Sequence, residues 1–234
     1  MKFREENNHT GSRAKIWPST WFVLGVILAQ ILVSVLAYPF MPAQVPSHWN
    51  ASGQVDGYMS RTANAIFVPA ISAGIYILRR ILLFIAPSTS RNTNRYVLAK
   101  LSDYLLCGVI LFMFAIQLVV TAAALGLPVD IGFVVCLATA LLFIFMGNYL
   151  GKIQRNFWFG IRTPWTLADD TVWERTHRLG GWLLVGAGVV MLVMSFFAPL
   201  RPLAIIGPIL LVAIILTGYS FLVYRRLSQS GGKA

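Results

Sequence analysis

Residues 103–125 read DYLLCGVILFMFAIQLVVTAAAL, a run whose single charge, Asp103, stands at its first position. About 20 apolar residues in helical form cross a bilayer core of about 30 Å, so this stretch predicts a membrane-spanning helix. Comparable runs stand on both sides of it, at roughly 17–38, 64–84, 131–149, 181–199 and 203–224. Residues that stop helices bound them: Pro39 and Pro42 after the first, Gly126 and Pro128 between the third and fourth, Pro199 and Pro202 between the last two. The spacing predicts an all-α fold, a polytopic membrane bundle of six transmembrane helices. Asp103 is expected at a membrane boundary, where a carboxylate at a helix N-terminus complements the helix dipole.

Composition agrees. Among 234 residues, 57% are hydrophobic and 12% charged, and the mean hydropathy is +0.71, which excludes a water-facing globule. Apolar content this high also excludes disorder, and two cysteines are too few for a disulfide scaffold. Cys107 and Cys136 fall at different depths of their spans, about 15 Å or more apart at 1.5 Å per residue, beyond disulfide reach.

The net charge of +11 is asymmetric. Counted on the six-span pattern, seventeen basic residues fall on one side, in the N-terminal tail, the 79–102 and 150–180 connections and the C-terminal tail. Two, Arg61 and Arg201, fall on the other. Basic residues gather on the cytoplasmic side, where they also meet anionic lipid, so both termini are expected in the cytoplasm of a multi-pass plasma-membrane protein. Arg79 and Arg80 are expected to snorkel at that boundary. Trp17, Tyr38, Trp182, Tyr219 and Tyr224 near span ends suit interfacial belts. Polar residues within the spans, among them Gln30, Ser34, Ser72 and Gln117, are expected to bond helix to helix.

Several chemistries lack their residues. Ion-coupled transport calls for ionisable groups at mid-membrane, and the spans offer none there. His9 and His177 are expected on one side and His48 on the other, with no HExxH or CxxC spacing, so no metal site is expected. No catalytic residues and no cofactor are assigned.

Two loops exceed what connection requires. The outer one, 39–62, is dense in turn formers: Pro46, Gly53 and Asp56-Gly57 would give tight reversals, with His48, Trp49 and Tyr58 as a sticky face. A compact solvated cap over the bundle describes it equally well. Asn50-Ala51-Ser52 matches a glycosylation sequon. The inner one, 150–180, interleaves arginines with tryptophans, which suits a segment in the headgroup layer better than direct nucleic-acid contact. Thr171-x-x-Glu174 reads as a capping box opening a helix on which Trp173 and His177 share a face. His177 there is either a packed structural residue or a pH-sensitive contact.

Within this inner stretch stand Asn148, Gly151, Arg155-Asn156, the run Gly160-Ile161-Arg162-Thr163-Pro164-Trp165-Thr166-Leu167, then Trp173 and Thr176-His177-Arg178. This pattern resembles the signature of the SdpI family, bacterial immunity proteins against a secreted sporulation-delaying peptide toxin. The outer loop, with Pro42, Pro46, His48, Gly53 and Asp56-Gly57-Tyr58, is similar to a domain of unknown function often fused ahead of it. The resemblance implies a membrane protein that protects its cell from a toxic peptide and, in the type member, signals to a cytoplasmic transcriptional repressor. Combined with the topology, it makes Pro46, His48, Trp49, Gly53, Asp56 and Tyr58 candidate toxin contacts and the inner-loop residues above the candidate partner and signalling surface. Membrane lipids are the further expected partner.

The expected organisation is a tail at 1–16, a membrane region at 17–102 that carries the outer loop, an SdpI-like membrane region at 103–224, and a tail at 225–234. A transporter or lipid-modifying protein using the inner loop, and a sensor without immunity function, are the alternatives. An inverted repeat of three plus three spans is a further expectation, since each half carries its long loop between its first two spans.

Overall fold

The computed structural model describes residues 18–50, 52–85, 95–156 and 159–231. Lys2, Arg4, His9, Arg13, Lys15, Trp17, Ala51, Arg91, Phe157, Trp158 and Lys233 lie outside the described residues. The chain forms α1 (Pro18–Ala37), a short 3-10 turn, strands β1 (Gln44–Trp49) and β2 (Val55–Ser60), and α2 (Arg61–Ile85). Then follow α3 (Arg95–Ala124), α4 (Ile131–Leu150), α5 (Pro164–Ala168), α6 (Asp170–Ser195), a second 3-10 turn and α7 (Arg201–Gly231). Six of these helices are long and apolar enough to cross a membrane, as the hydropathy pattern predicts.

The helices fall into two packed groups. α1, α2 and α3 contact one another, as do α4, α6 and α7, and α3 against α4 joins the groups. In lipid no hydrophobic drive brings helices together, so close backbone approach must do so. α4 and α6 make the most extensive contact: a Cβ on Gly147 would lie 2.7 Å from the Gly181 carbonyl oxygen, and one on Gly188 2.7 Å from that of Ala140. Large apolar side chains such as Leu28, Phe84 and Ile214 point outward, where lipid is the solvent. The two groups differ internally, α1 packing chiefly on α3 but α4 chiefly on α6.

The loop at 39–62 is more ordered than a set of turns. Its strands pair antiparallel, from Gln44 opposite Ser60 to Trp49 opposite Val55, with shifts in register around His48. Gly57 faces His48 so closely that a Cβ would meet the His48 Cβ at 2.9 Å. At the tip, the Asn50 side-chain oxygen accepts from the Ser52 and Gln54 amides, at 2.9 and 3.0 Å, and Gly53 takes the positive φ of 78° that the reversal requires. Val45, fully buried, packs with Ala37, Met41, Ala124 and Met59, so the hairpin is seated on the ends of α1 and α3.

Two expectations for the opposite end are corrected. α3 begins at Arg95, not 103, so Asp103 lies two turns inside the helix and is buried. Arg79 does not snorkel: it forms an ion pair with Asp103 between α2 and α3, and both side chains are over 90% buried, at 7% and 3% exposure. Arg79 also donates to the Ala99 carbonyl (3.1 Å) and the Ser102 hydroxyl (3.3 Å), while Ser19 of α1 donates to Asp103 (3.0 Å). A guanidinium buried here without a counter-charge would be costly, and the pairing offsets that penalty.

Candidate functional site

The 150–180 segment folds onto the α5 end of the bundle. Local chemistry sets its path. Asn156 accepts the Phe159 amide (2.7 Å) and donates to the carbonyls of Gln154 (2.9 Å) and Phe159 (3.1 Å), which holds Phe159 against it. Gly160 follows with φ at 112°, and a Cβ there would collide with the His177 ring and approach Trp173 to 3.1 Å. The capping box forms at Thr163 and Thr166, which opens α5 with Pro164 in its first turn. The Thr171–Glu174 box is not formed: Asp169 caps α6 through the Val172 amide at 2.9 Å, and Thr171 and Glu174 are exposed. Asp169 and Asp170 precede them and place a carboxylate at the cap itself.

At the centre, the rings of Trp173 and His177 stack with centroids 4.0 Å apart and an interplanar angle of 19°. Both residues are essentially inaccessible, at 1% and 0% exposure. The Trp173 indole N–H donates to the Ile153 carbonyl (2.7 Å), on the stretch leaving α4. His177 Nε2 accepts from the Ile161 amide (2.9 Å), which requires that nitrogen to be unprotonated, so Nδ1–H donates to the Trp173 carbonyl (2.8 Å). The neutral imidazole therefore fastens the loop to α6, and the packed structural reading of His177 holds. The headgroup-layer reading is corrected for Trp173, whose ring is enclosed by Leu101, Leu150 and Ile153.

Other expected residues join the same unit. Thr166, fully buried, donates to the Ile161 carbonyl (2.8 Å), and Thr163 donates to Ser220 of α7 (3.2 Å). Arg155 donates to the Leu167 carbonyl (2.9 Å) and pairs with Asp170 (2.6 Å). Trp165 packs on Phe221 with centroids 5.1 Å apart, and Thr176 is buried. Asn148, Gly151, Arg162, Pro164 and Arg178 are exposed. The structure thus divides the motif into an interior that holds the loop and a rim facing outward. Ser220, Ile153 and Asp170 complete the unit and were not legible as site residues, because only α7, the α4 exit and the start of α6 bring them in.

The hairpin lies at the opposite end of the bundle. Among its expected contact residues, His48 pairs with Asp56 across the strands, and both are exposed, as is Tyr58. Pro46 and Trp49 are half-buried, and Gly53 forms the tip. Arg61 stacks over Tyr38 at 4.9 Å and donates to the Met41 carbonyl (3.3 Å), tying the hairpin to its helices. At this end too, Asp130 caps α4 through the Phe133 amide (3.0 Å) and accepts from Arg201 Nη1 at both carboxylate oxygens, each at 2.8 Å. The Phe133 amide, then Arg201, hold the Asp130 carboxyl below the usual carboxylate range. Among the described residues, no group of three or more His, Cys, Asp or Glu could hold a metal ion.

Six apolar helices, an ordered hairpin at one end and a buried Trp–His latch at the other define a multi-pass membrane protein built around two structured loops. Residues 152–224 match the SdpI/YfhL protein family and residues 25–73 match a domain of unknown function, DUF1648. The chain is 28% identical over 206 residues to the Immunity protein SdpI of Bacillus subtilis (strain 168), covering 88% of this chain and 95% of that protein. The chain is therefore similar to the SdpI/YfhL family in its C-terminal part and to DUF1648 in its N-terminal part. No solved structure matches the chain.

Proposed function

We propose that the protein is an integral membrane immunity protein that protects its cell from a secreted peptide toxin. Its likeness to Immunity protein SdpI along nearly the full length of both chains carries this reading. The hairpin end is the extracytoplasmic face, because among the described residues Arg61 and Arg201 are its basic residues, whereas the α5 end gathers Arg80, Lys100, Lys152, Arg162, Arg175, Arg178, Arg225 and Arg226. Both termini then lie in the cytoplasm. A toxin reaching the outer leaflet meets the exposed His48–Asp56 pair and Tyr58 first. The role is one of binding rather than catalysis.

At the cytoplasmic face, Asn148, Gly151, Arg162, Pro164 and Arg178 form the surface that captures a partner of repressor type, and Trp173, Thr176, His177, Thr166 and Asn156 hold that surface in shape. The buried Arg79–Asp103 pair removes one objection to a transporter, the lack of membrane-embedded charge, but it is fully bonded within the three-helix group. Expression in a toxin-sensitive bacterium, scored for survival against secreted peptide toxins, tests the reading. Wild-type cells should survive. Arg162→Ala with Arg178→Ala should leave survival intact and abolish any toxin-dependent transcriptional response. Killing of cells that display the wild-type protein in the membrane rejects immunity.

A further inference from the structure

The three-helix group α1–α2–α3 is layered. Val45, Met41, Ala37 and Ala124 close it under the hairpin, and Arg79, Asp103, Ser19 and Ser102 bind it at the other end. An apolar layer of Val23, Ile27, Leu106 and Ile110 lies next to that ion pair. Between the two apolar layers stand Gln30, Ser34, Ser72 and Gln117. At 1.5 Å per residue, Gln30 and Gln117 sit about 10 Å in from the hairpin-side ends of their helices, and Ser72 lies about one turn deeper, about 17 Å in.

Gln117 donates to the Gln30 main-chain carbonyl (2.8 Å) and to Ser34 (2.9 Å), which fixes its amide against α1. The rest of the layer is left over. Gln30 Nε2 and Oε1, Ser72 Oγ and Gln117 Oε1 are buried without a hydrogen-bond partner among the described residues, and their residues are exposed by only 0%, 0% and 3%. In the same helix as Ser72, Pro69 supplies no N–H to the Ala65 carbonyl. An orphaned buried polar atom costs about 1–3 kcal/mol, and helix association in lipid gains nothing from it. The leftover set contains donors and acceptors but no charge, which suits a neutral group that both donates and accepts and suits neither a cation nor an anion.

We propose that Gln30, Ser72 and Gln117 form an intramembrane site for a main-chain amide of a peptide that enters the bilayer from the hairpin side. Along an extended peptide the N–H and C=O of one residue face the same side, and the Gln30 carboxamide answers both. Ser72 and Gln117 Oε1 receive the next unit along. The site rests on the immunity reading for the source of its peptide, and it names the mode of capture: the toxin is held by its backbone, at a depth where unpaired amides are most costly to leave in lipid.

The test uses the full chain in lipid nanodiscs with isotope-labelled glutamine, and purified sporulation-delaying peptide as the probe. Solid-state NMR reads the side-chain amides of Gln30 and Gln117. Peptide addition should shift both signals and give peptide–amide contacts. Gln30→Met and Ser72→Ala, which remove only orphaned groups, should keep or raise the unfolding temperature while weakening peptide binding about tenfold each. Unchanged amide signals overturn the site, as do signals that contact water alone with and without peptide, and so does wild-type affinity in both variants. Survival assays with the same peptide report separately on immunity: cells that die while the amides shift reject the immune role and keep the site, and cells that survive without a shift do the reverse.

Discussion

Arg79 and Asp103 meet inside the apolar part of the bundle, one from α2 and one from α3, and Ser19 of α1 completes the contact, so a single charge pair fastens three helices. A partner left alone there would be a buried charge with no counterion. Arg79→Ala or Asp103→Ala should therefore destabilise the protein by about 3–5 kcal/mol, whereas the double replacement Arg79→Met with Asp103→Leu should lose much less. Chemical denaturation in detergent, run as a double-mutant cycle, measures the difference.

The Trp173–His177 latch should respond to loss of one acceptor. His177→Ala leaves the Ile161 amide without its partner and removes the stacked ring, a loss of about 1–3 kcal/mol concentrated in the 153–168 segment. Amide exchange should show faster exchange at Ile161 with the spans unaffected. Gly160→Ala should have a similar effect, because its φ of 112° and the proximity of both rings leave no room for a methyl group.

The α4–α6 contact should separate glycines that matter from those that do not. Gly188→Val would drive a side chain into the Ala140 carbonyl and Ile144, and should sharply reduce the yield of folded protein. Gly186→Ala, two residues away on the same helix, meets nothing within 4 Å and should be neutral or slightly stabilising. Size-exclusion profiles and thermal unfolding in one detergent compare them.

The Asp130–Arg201 contact carries a pH signature. A carboxyl whose folded-state pKa is depressed contributes stability fully present above its unfolded value, near pH 4, and lost as pH falls through the lowered value. The wild type should lose more of its unfolding temperature than Asp130→Asn on acidification below about pH 4, since Asn keeps the cap to Phe133 but not the charge. Because the Asp130 side chain is 57% exposed, the difference should be small and should shrink in high salt.

Hydropathy alone makes the six spans legible, because about 20 apolar residues in lipid leave the backbone no alternative to helix. Motif density likewise marks 150–180. The hairpin escaped because Pro46, Gly53 and Gly57 break the alternation that announces a strand, and its register depends on Val45 finding Ala37 and Ala124. Arg79 and Asp103 escaped because their partnership depends on how α2 turns against α3, which no spacing reveals. Trp173 looked like an interfacial anchor because its type favours the headgroup layer, yet its indole N–H finds a carbonyl in the fold.

α6 runs unbroken from Asp170 to Ser195, about 39 Å at 1.5 Å per residue, with no proline among its residues. Its first turns bear the stacked rings, and its last residue gives its carbonyl to Arg201. A continuous helix of this length ties the loop at one end of the bundle to the Arg201 contact at the other. The two ends of the bundle thus share one structural member.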